Sequence, residues 1–296
     1  MAKEKIAFII NPQSGRKNRN VSIESITKFL DSKRFSPKFY TSEHPGHANT
    51  LAYQAASEGC KIIVAVGGDG TVNEIASALV LLKLPLGIIP SGSGNGLARH
   101  LKIPLSISKA LQTINQGKIM HIDAGKVNES WFFCTSGIGF DAKIGYKFSK
   151  LNKRGFLGYF KAIIQEFSKY KIKKYSFTID GRKYKRKAFV ITIANASQYG
   201  NNAFIAPNAS TTDGLLDVCI VKPFPRWKVI FLALRLMNRS INQSEYYEYI
   251  RGKTIYFKKP KKKYILHYDG EPIKFKKEKI QIDIVPKLLQ VIVPDH

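Results

Sequence analysis

The segment that decides the fold is Lys61–Ile75, KIIVAVGGDGTVNEI. Five apolar, mostly β-branched residues follow the lysine, which is the pattern of a strand buried on both faces. Gly67, Gly68 and Gly70 then interrupt the strand, and apolar residues return at helical spacing. We therefore predict a strand, a glycine turn and a helix, with Thr71 capping the helix through its hydroxyl.

This glycine turn is suited to binding phosphate. Glycine has no Cβ, so the turn can adopt a positive φ and phosphate oxygens can approach the main chain. The helix behind it offers unpaired N–H groups and the positive end of its dipole. Asp69 is unexpected there, because a carboxylate repels phosphate unless a cation lies between them, so it suggests Mg²⁺ or a proton acceptor. A plain strand–helix connection with an exposed Asp69 is the alternative.

Two further turns of small and polar residues follow predicted strands, at Asn11–Gly15 and Gly92–Gly96. Strands and helices alternate over residues 1–123, which predicts an α/β domain with a mainly parallel sheet and helices on both faces. Ligands bind at the carboxyl edge of such sheets. We therefore expect the three turns to form one cradle for the phosphates of a nucleotide. The turns match neither GxxxxGK[ST] nor GxGxxG, which excludes a P-loop and the dinucleotide fingerprint.

Residues 124–286 show a different pattern, of short strands with Asp-Gly turns at Asp180 and Asp269. Asp-Gly between apolar runs is typical of hairpins, so we predict a second, mostly antiparallel β-sandwich domain. Helices are expected near Phe156–Tyr170 and Trp227–Asn238. We expect the last strand, within residues 287–296, to return to the first domain.

The chain of 296 residues carries a net charge of +27, of which residues 1–123 contribute +7 and residues 124–296 contribute +20. Such a charge attracts nucleic acid or an anionic membrane. No nucleic-acid-binding motif accompanies it, so we expect no specific nucleic-acid partner. The alternative to a polyanionic partner is a surface charge that only keeps the protein soluble.

The cysteines and the hydropathy pattern bear on location. The three cysteines are far apart and form no disulfide or zinc pattern, which favours a reducing cytoplasm. No signal peptide and no spanning run of about 20 apolar residues is recognisable. We therefore expect a cytoplasmic protein that associates with membranes only peripherally.

Six motifs together resemble those of the diacylglycerol kinase catalytic superfamily, which includes bacterial lipid kinases, sphingosine kinases and ceramide kinase. The related NAD kinases share GGDGT. The resemblance implies a nucleotide-binding α/β domain, a β-sandwich domain and an ATP site in the cleft between them. The motifs occur in the family's order: Asn11–Gly15, Gly67–Glu74, Pro90–Asn95, Ser136–Phe140, Asp213–Asp217 and Asp269–Glu271.

The resemblance also assigns ligands to particular residues. It implies that a structural Mg²⁺ is held by the main-chain carbonyls of Ser210 and Leu215 and the carboxylate of Asp213, which suits an oxygen-preferring cation. An ordinary Asp-Gly turn is the alternative there. Gly96 stands where the bacterial diacylglycerol enzymes usually have Asp, which leaves the acceptor lipid open. The implied ATP-binding residues are Asn11, Pro12, Gln13, Ser14, Gly15, Thr41, Gly67, Gly68, Asp69, Gly70, Thr71, Val72, Asn73 and Ser93.

Asp269-Gly270-Glu271 resembles the family's base motif. Phosphoryl transfer needs an aligned acceptor oxygen, a group that takes its proton and cations that offset the γ-phosphate charge. We predict that Glu271 is the base and that Asp269 binds metal or assists Glu271, with Asp69 as a competing base. The alternative is a pair of hairpin-tip charges in water.

Two basic segments with aromatic residues, Lys153–Lys161 and Pro225–Arg239, suggest contact with an anionic membrane interface. In the second, apolar residues recur at near-helical spacing. Packing of this stripe against a sheet is the alternative. The apolar positions are Trp227, Ile230, Phe231, Leu234 and Met237, and the basic ones are Arg226, Lys228, Arg235 and Arg239.

Taken together, the sequence predicts an Mg²⁺-dependent lipid kinase that transfers the γ-phosphate of ATP to a lipid hydroxyl. Diacylglycerol, a sphingoid base, ceramide or a related lipid alcohol is the expected acceptor. An NAD kinase is the alternative enzyme, disfavoured by the charge and by Asn73-Glu74 directly after GGDGT. A non-catalytic nucleotide or lipid sensor is the alternative of another class. A homodimer is left open.

Overall fold

The computed structural model describes residues 3–14, 21–149, 166–258, 264–275 and 279–295. The chain divides into two compact units. One comprises Met1–Ala124 with Pro286–His296, and the other comprises Gly125–Val285.

The first unit is an α/β domain. Its four leading strands are parallel in the order β2-β1-β3-β4, and the end of the last strand, β16 (Ile280–Ile292), pairs in parallel with β4 at Val291 and Leu86. The elements are β1 (Glu4–Ile10), α1 (Ile23–Phe29), β2 (Phe35–Thr41), α2 (His47–Ser57), β3 (Ile62–Gly67), α3 (Asp69–Leu82), β4 (Leu86–Pro90), α4 (Gly96–His100) and α5 (Ile107–Gln116).

Helices cover both faces of this sheet. Phe8 and Val64 lie in one apolar cluster with Ile26 of α1 and Leu111 of α5. Helices α2 and α3 pack against each other and against β1 and β3. Because side chains alternate along a strand, the buried Ile63 faces the opposite side from Val64. The fully buried, β-branched β3 therefore forms the strand that its sequence predicts, and the α/β fold is confirmed.

One predicted detail of this unit is wrong. Helix α3 begins at Asp69 with Gly68 as its N-cap residue, and no side chain caps it. Thr71 lies inside the first turn and is buried. Its hydroxyl is therefore not a helix cap, and it accepts a hydrogen bond from another turn instead.

The second unit is a β-sandwich. One sheet is antiparallel in the order β12-β11-β10-β7-β14-β15. In the other sheet, β8 lies between β9 and β13, and β13 pairs in turn with residues 280–283 of β16. Strand β5 (Ile119–Val127) begins in the first unit and ends in the second. The strands wholly within the second unit are β6 (Ser130–Phe132), β7 (Thr135–Gly139), β8 (Lys173–Ile179), β9 (Arg182–Ala188), β10 (Val190–Ala194), β11 (Leu216–Val221), β12 (Tyr247–Gly252), β13 (Thr254–Phe257), β14 (Tyr264–Tyr268) and β15 (Glu271–Phe275).

The core of the sandwich contains side chains from both sheets. Phe177 and Phe257 of one sheet share an apolar cluster with Ile138, Ile191 and Leu266 of the other. The alternation of apolar and polar residues along these strands buries one face of each sheet. The predicted β-sandwich fold is therefore confirmed.

The helices of the second unit are few among the described residues. They are α6 (Phe140–Ser149), the helical residues 166–169, and α7 (Val229–Met237), which follows a 3₁₀ turn at Arg226–Lys228. A second 3₁₀ turn spans Ile241–Gln243. The helix predicted near Phe156–Tyr170 and the basic segment Lys153–Lys161 lie largely or wholly outside the described residues. Within the described parts of the chain, each helix is too short or too polar to cross a membrane.

Candidate functional site

The three small-residue turns meet at the carboxyl edge of the first unit's sheet. The Asn11 N–H donates to the Val66 carbonyl at 3.0 Å, and the Ser91 N–H donates to the Gly67 carbonyl at 2.9 Å. These bonds hold the ends of β1, β3 and β4 level with one another. The parallel order of the strands thus brings together chain segments that are about 80 residues apart in sequence.

Side chains of the first turn bind the other two turns. Asn11 Nδ2 donates to Thr71 Oγ1 at 2.9 Å, and the hydroxyls of Ser14 and Ser91 lie 2.6 Å apart. Asn11 Oδ1 also accepts the Gln13 N–H at 2.9 Å, which closes the first turn on itself. The Thr71 hydroxyl therefore links the first and second turns.

The glycines of the site are required mainly by close approach of the chains. A Cβ on Gly92 would lie 2.5 Å from the Gly68 Cα and 2.9 Å from Asn95 Oδ1. A Cβ on Gly67 would lie 2.5 Å from the Thr71 Cβ. Gly68 itself has a φ of −94°, which any residue can adopt. Gly68 therefore does not use the positive φ that glycine allows, and its close contact with Gly92 explains the glycine instead.

Asp69 connects the second turn to the third. Its Oδ2 accepts the Asn95 N–H at 2.8 Å and its Oδ1 accepts the Gly96 N–H at 2.6 Å. Asn95 is buried and has a φ of 52°, and its Nδ2 donates to the Gly92 carbonyl at 2.8 Å. Both oxygens of Asp69 therefore act as acceptors within the loop framework. This arrangement weakens the case for Asp69 as the catalytic base.

A second carboxylate near these turns was missed by sequence reasoning. Glu74 Oε1 accepts the Gly46 N–H at 2.8 Å and Oε2 accepts the Ala48 N–H at 3.1 Å, which caps the start of α2. The available signal was that α2 begins after Gly46 with no side chain of its own to cap it. Glu74 thereby ties the glycine-turn helix to the neighbouring helix.

The residues assigned to ATP differ in exposure. Thr41 ends β2 opposite Ile10 and is exposed, as is Ser93 in the third turn. Pro12 and Gln13 are also exposed, whereas Thr71, Val72 and Asn73 are buried in the first turn of α3 and Gly70 is partly buried. Gly15 lies outside the described residues. A pocket of about 200 Å³ lies beside the first turn, and its lining includes Asn11, Ser14 and Ser91.

In the second unit, Asp269 and Gly270 form the turn between β14 and β15, with φ values of 45° and 90°. The Asp269 carboxylate accepts three main-chain N–H groups: Phe133 at 2.8 Å, Cys134 at 2.8 Å and Thr135 at 2.9 Å. The Asp269 N–H donates to the Thr135 carbonyl at 2.8 Å. These bonds anchor the hairpin to the start of β7, and they argue against the predicted role of Asp269 as a metal ligand.

The other Asp-Gly hairpin is also anchored by hydrogen bonds to its turn aspartate, Asp180. Asp180 has a φ of 47°, its N–H donates to the Thr254 carbonyl, and its carboxylate accepts the N–H groups of Lys253 and Thr254 at 2.9 to 3.1 Å. That hairpin contains none of the residues predicted to act in catalysis. Anchoring by the turn aspartate is thus common to both Asp-Gly hairpins and does not by itself indicate a catalytic residue.

Glu271 has different surroundings. It is the first residue of β15, pairs with Tyr268 across the hairpin and is exposed. Asp269 is held in the turn, so the two carboxylates do not act as a matched pair on one strand. Of the two, Glu271 is the carboxylate that remains accessible to a reactant.

The loop before β11 holds the residues assigned to Mg²⁺. The Leu215 N–H donates to Asp213 Oδ1 at 3.1 Å, and Asp213 Oδ2 lies 3.8 Å from Arg251 Nη1. Ser210 Oγ accepts the Thr212 N–H at 3.3 Å. In the described residues no three His, Cys, Asp or Glu side chains cluster as metal ligands. A carboxylate and main-chain carbonyls are ligand types that a hard cation prefers, but Arg251 lies near the carboxylate as a competing partner.

The same arginine also balances a buried acid at the start of β11. Arg251 Nε lies 3.2 Å from Asp217 Oδ1. Burial raises the pKa of Asp217, and the nearby Arg251 charge opposes that rise. Arg251 thus serves both Asp213 and Asp217.

A buried polar cluster beside the Glu271 hairpin was also missed. Asp141 Oδ2 lies 3.0 Å from His267 Nε2, 3.4 Å from the Tyr199 hydroxyl and 3.5 Å from Thr192 Oγ1. Burial and the charge of Asp141 raise the pKa of Tyr199 well above its usual value. A Cβ on Gly137 would lie 2.7 Å from Asp141 Oδ2, so that glycine admits the carboxylate. The cluster braces β14, the strand that leads into the Asp269 turn.

Comparisons with known proteins agree with this architecture. The family model of the diacylglycerol kinase catalytic domain matches residues 5–127, and that of the YegS C-terminal NAD kinase beta sandwich-like domain matches residues 135–293. A solved structure of a putative diacylglycerol kinase from Bacillus anthracis str. Sterne has a TM-score of 0.77 and 22% identity, covering 98% of this chain and 95% of that chain. This chain therefore has the same fold as that solved structure.

Curated relatives extend the match to sequence. A probable lipid kinase YegS-like from Enterobacter sp. (strain 638) is 30% identical over 282 residues, which cover 92% of this chain and 90% of the relative. A diacylglycerol kinase from Mycobacterium tuberculosis (strain ATCC 25618 / H37Rv) is 28% identical and covers 84% of this chain and 82% of the relative. The chain therefore belongs to the diacylglycerol kinase and YegS-like lipid kinase family, in which a kinase catalytic domain is followed by a YegS-type β-sandwich.

Proposed function

We propose that this protein is a lipid kinase that transfers the γ-phosphoryl group of ATP to the hydroxyl of a lipid alcohol. The observation that carries the proposal is the joining of the three turns at one sheet edge, with main chains in contact at Gly68 and Gly92. Such an edge offers main-chain N–H groups to phosphate oxygens without obstruction by side chains.

The first unit would bind the nucleotide. The start of α3 has no capping side chain, so its first N–H groups and dipole can stabilise phosphate charge. Asn11, Ser14 and Asp69 hold the three turns in register through the bonds given above. Their role is to keep the phosphate-binding N–H groups in place before ATP arrives, because donors that need no rearrangement stabilise a transition state best.

Glu271 would accept the proton of the lipid hydroxyl. It is exposed at the tip of a hairpin that is anchored by three hydrogen bonds to Asp269. A carboxylate on a rigid hairpin can lie within hydrogen-bonding distance of a reacting oxygen with little loss of entropy. Asp269 is a positioning residue in this account, and Asp69 has no part in proton transfer.

Mg²⁺ is proposed on chemical grounds. When bound with ATP, it offsets the negative charge that phosphoryl transfer concentrates on the phosphate oxygens. A second, structural ion would be held by the carboxylate of Asp213 and the carbonyls of Ser210 and Leu215. This ion would stabilise the loop that precedes β11.

The test is an assay of phosphoryl transfer from γ-labelled ATP to a panel of acceptors: diacylglycerol, ceramide, a sphingoid base, other lipid alcohols and NAD⁺. We expect label in at least one lipid, dependent on Mg²⁺, and none in NAD⁺. Label in NAD⁺ alone would establish the NAD kinase instead. Tight ATP binding with no transfer to any acceptor, by protein that is folded by circular dichroism, would favour a nucleotide sensor.

A further inference from the structure

Helix α7 has two apolar faces, and only one of them is packed. Leu232 is buried, and Leu236 contacts an apolar cluster that includes Val190 and Val221. On the other side, large apolar side chains that precede or lie within α7 are 51–67% exposed. They are Trp227, Ile230, Phe231, Leu234 and Met237.

These five side chains form one continuous strip. Their spacing of three or four residues places them on one side of the helix, and the rings of Trp227 and Phe231 meet edge to face at 6.2 Å. Elsewhere, exposed large apolar residues such as Leu81 occur singly or in pairs along the described chain. Soluble proteins seldom expose a contiguous apolar patch of this kind without a binding role. Packing against the protein's own sheet accounts for Leu232 and Leu236 and leaves the strip uncovered by that sheet.

Positive charge borders the strip. Residues 222–239 contain five Lys or Arg residues and no Asp or Glu. Several of the basic groups are held in place: Arg226 Nη2 donates to the Ser168 carbonyl at 3.0 Å, and the Arg239 guanidinium lies 4.1 Å from the centre of the Phe204 ring. Lys228 pairs with Glu245 at 2.8 Å, which offsets one charge. The segment that carries the strip therefore keeps a positive surplus: of its five basic residues, one is paired with Glu245.

We infer that this strip, with its basic border, docks the protein on an anionic lipid surface. An amphipathic helix with Trp, Phe and Leu on one side and Lys or Arg beside them lies in the interface of such membranes. A second copy of the chain is a poorer occupant, because a two-fold contact through this face would bring two positive borders together. Docking of the strip does not depend on the proposed function. Its consequence for catalysis, that docking brings the protein to its acceptor lipid, does rest on the proposed function.

The test is co-sedimentation, in the absence of ATP, with two kinds of vesicle: phosphatidylcholine alone, and phosphatidylcholine mixed with the anionic lipid phosphatidylglycerol. We expect binding to the anionic vesicles to exceed binding to the neutral ones and to fall with added salt. Neutralising one basic residue, as in Arg239→Gln, should weaken binding about five-fold. Equal binding to both vesicle types, or no binding, would overturn the inference.

The strip itself is tested by a matched pair of variants. Ile230 and Leu81 are both 67% exposed, but Leu81 lies on α3 in the other unit. We expect Ile230→Glu to weaken binding to anionic vesicles at least about ten-fold, because a carboxylate is then brought to an anionic interface. Leu81→Glu should bind as the wild type. Equal effects of the two variants would overturn the assignment to α7.

A spectroscopic readout shows whether the strip enters the lipid. The chain has two tryptophans, so Trp131→Phe leaves Trp227 as the sole reporter. Its emission should shift to the blue with anionic vesicles, and an unchanged spectrum in sedimenting protein would contradict insertion of the strip. The strip would instead be a self-association surface if the wild type is a dimer that does not bind vesicles and Ile230→Glu is a monomer. Glu271→Gln should dock as the wild type, so loss of the kinase function leaves this result unaffected.

Discussion

The Asp269 carboxylate provides the sharpest test of how the proposed base is positioned. Asp269→Asn keeps the size of the side chain and the tolerance for a φ of 45°, since asparagine also adopts the left-handed region readily. The substitution therefore changes the acceptors and leaves the turn intact. We expect it to destabilise the second unit and to lower phosphoryl transfer.

The size of the effect follows from the three hydrogen bonds. A net hydrogen bond to a charged group contributes about 1.5–3 kcal/mol, and one between neutral groups about 1 kcal/mol. In Asp269→Asn, an amide oxygen in place of Oδ1 would keep two weakened bonds, from the N–H groups of Cys134 and Thr135. The amide nitrogen would then face the Phe133 N–H, a donor against a donor. The expected loss is about 3–5 kcal/mol in the free energy of unfolding of this unit.

Urea unfolding followed by tryptophan fluorescence measures this loss directly. Trp131 and Trp227 both lie in the second unit, so their emission reports on it. The matched control is Asp180→Asn, which alters the same kind of turn in the other hairpin. Asp180 is exposed and binds fewer N–H groups, so we expect a loss of about 1–2 kcal/mol and normal transfer activity. A free energy of unfolding for Asp269→Asn within about 0.5 kcal/mol of the wild type would refute the anchoring role.

Three further predictions concern other parts of the chain. Gly92→Ala places a Cβ 2.5 Å from the Gly68 Cα, so we expect ATP affinity by calorimetry to fall at least about ten-fold and stability to fall by about 1–3 kcal/mol. Unchanged affinity would contradict the joined-turn account. Mg²⁺ should raise the melting temperature of the wild type and not of Asp213→Asn, and equal shifts would remove Asp213 from the metal site. Hydrogen bonds, chiefly from Lys38, lower the pKa of Glu58 to about 2. The ionised Glu58 carboxylate therefore stabilises the folded protein above about pH 4.5, and this stabilisation is lost as the pH falls towards 2. The stability difference between wild type and Glu58→Gln should shrink over that window, and a constant difference would contradict the assignment.

Much of the fold could be predicted from local patterns. The apolar run of β3 and the turn glycines are adjacent in sequence, so a strand, a turn and a helix follow without knowledge of the rest of the chain. The Asp-Gly turns at Asp180 and Asp269 were predictable for the same reason, because the positive φ values of both positions suit those residue types.

The partners of the site carboxylates could not be predicted in this way. Asp69 binds N–H groups of Asn95 and Gly96, which are 26 and 27 residues away, and Asp269 binds groups more than 130 residues away. Pairings of this kind depend on which strands become neighbours. The prediction that Thr71 caps α3 is wrong for a related reason, since its actual partner, Asn11, comes from a different strand end.

Helix α7 shows a second limit of sequence patterns. Its apolar residues occur at helical spacing, which indicates that the helix has an apolar face. Because it is apolar nearly all round, the sequence leaves open which side packs on the protein. The burial of Leu232 and the exposure of Ile230 settle that point.

The most direct test of the central claim compares wild type and Glu271→Gln in two measurements on the same preparation: ATP affinity by calorimetry and single-turnover transfer of label to the accepted lipid. The account predicts unchanged ATP affinity and unchanged urea unfolding, since Glu271 is exposed, with transfer slowed at least about 100-fold. Transfer by Glu271→Gln at the wild-type rate would contradict the account, because the proton of the lipid hydroxyl would then be taken by another group.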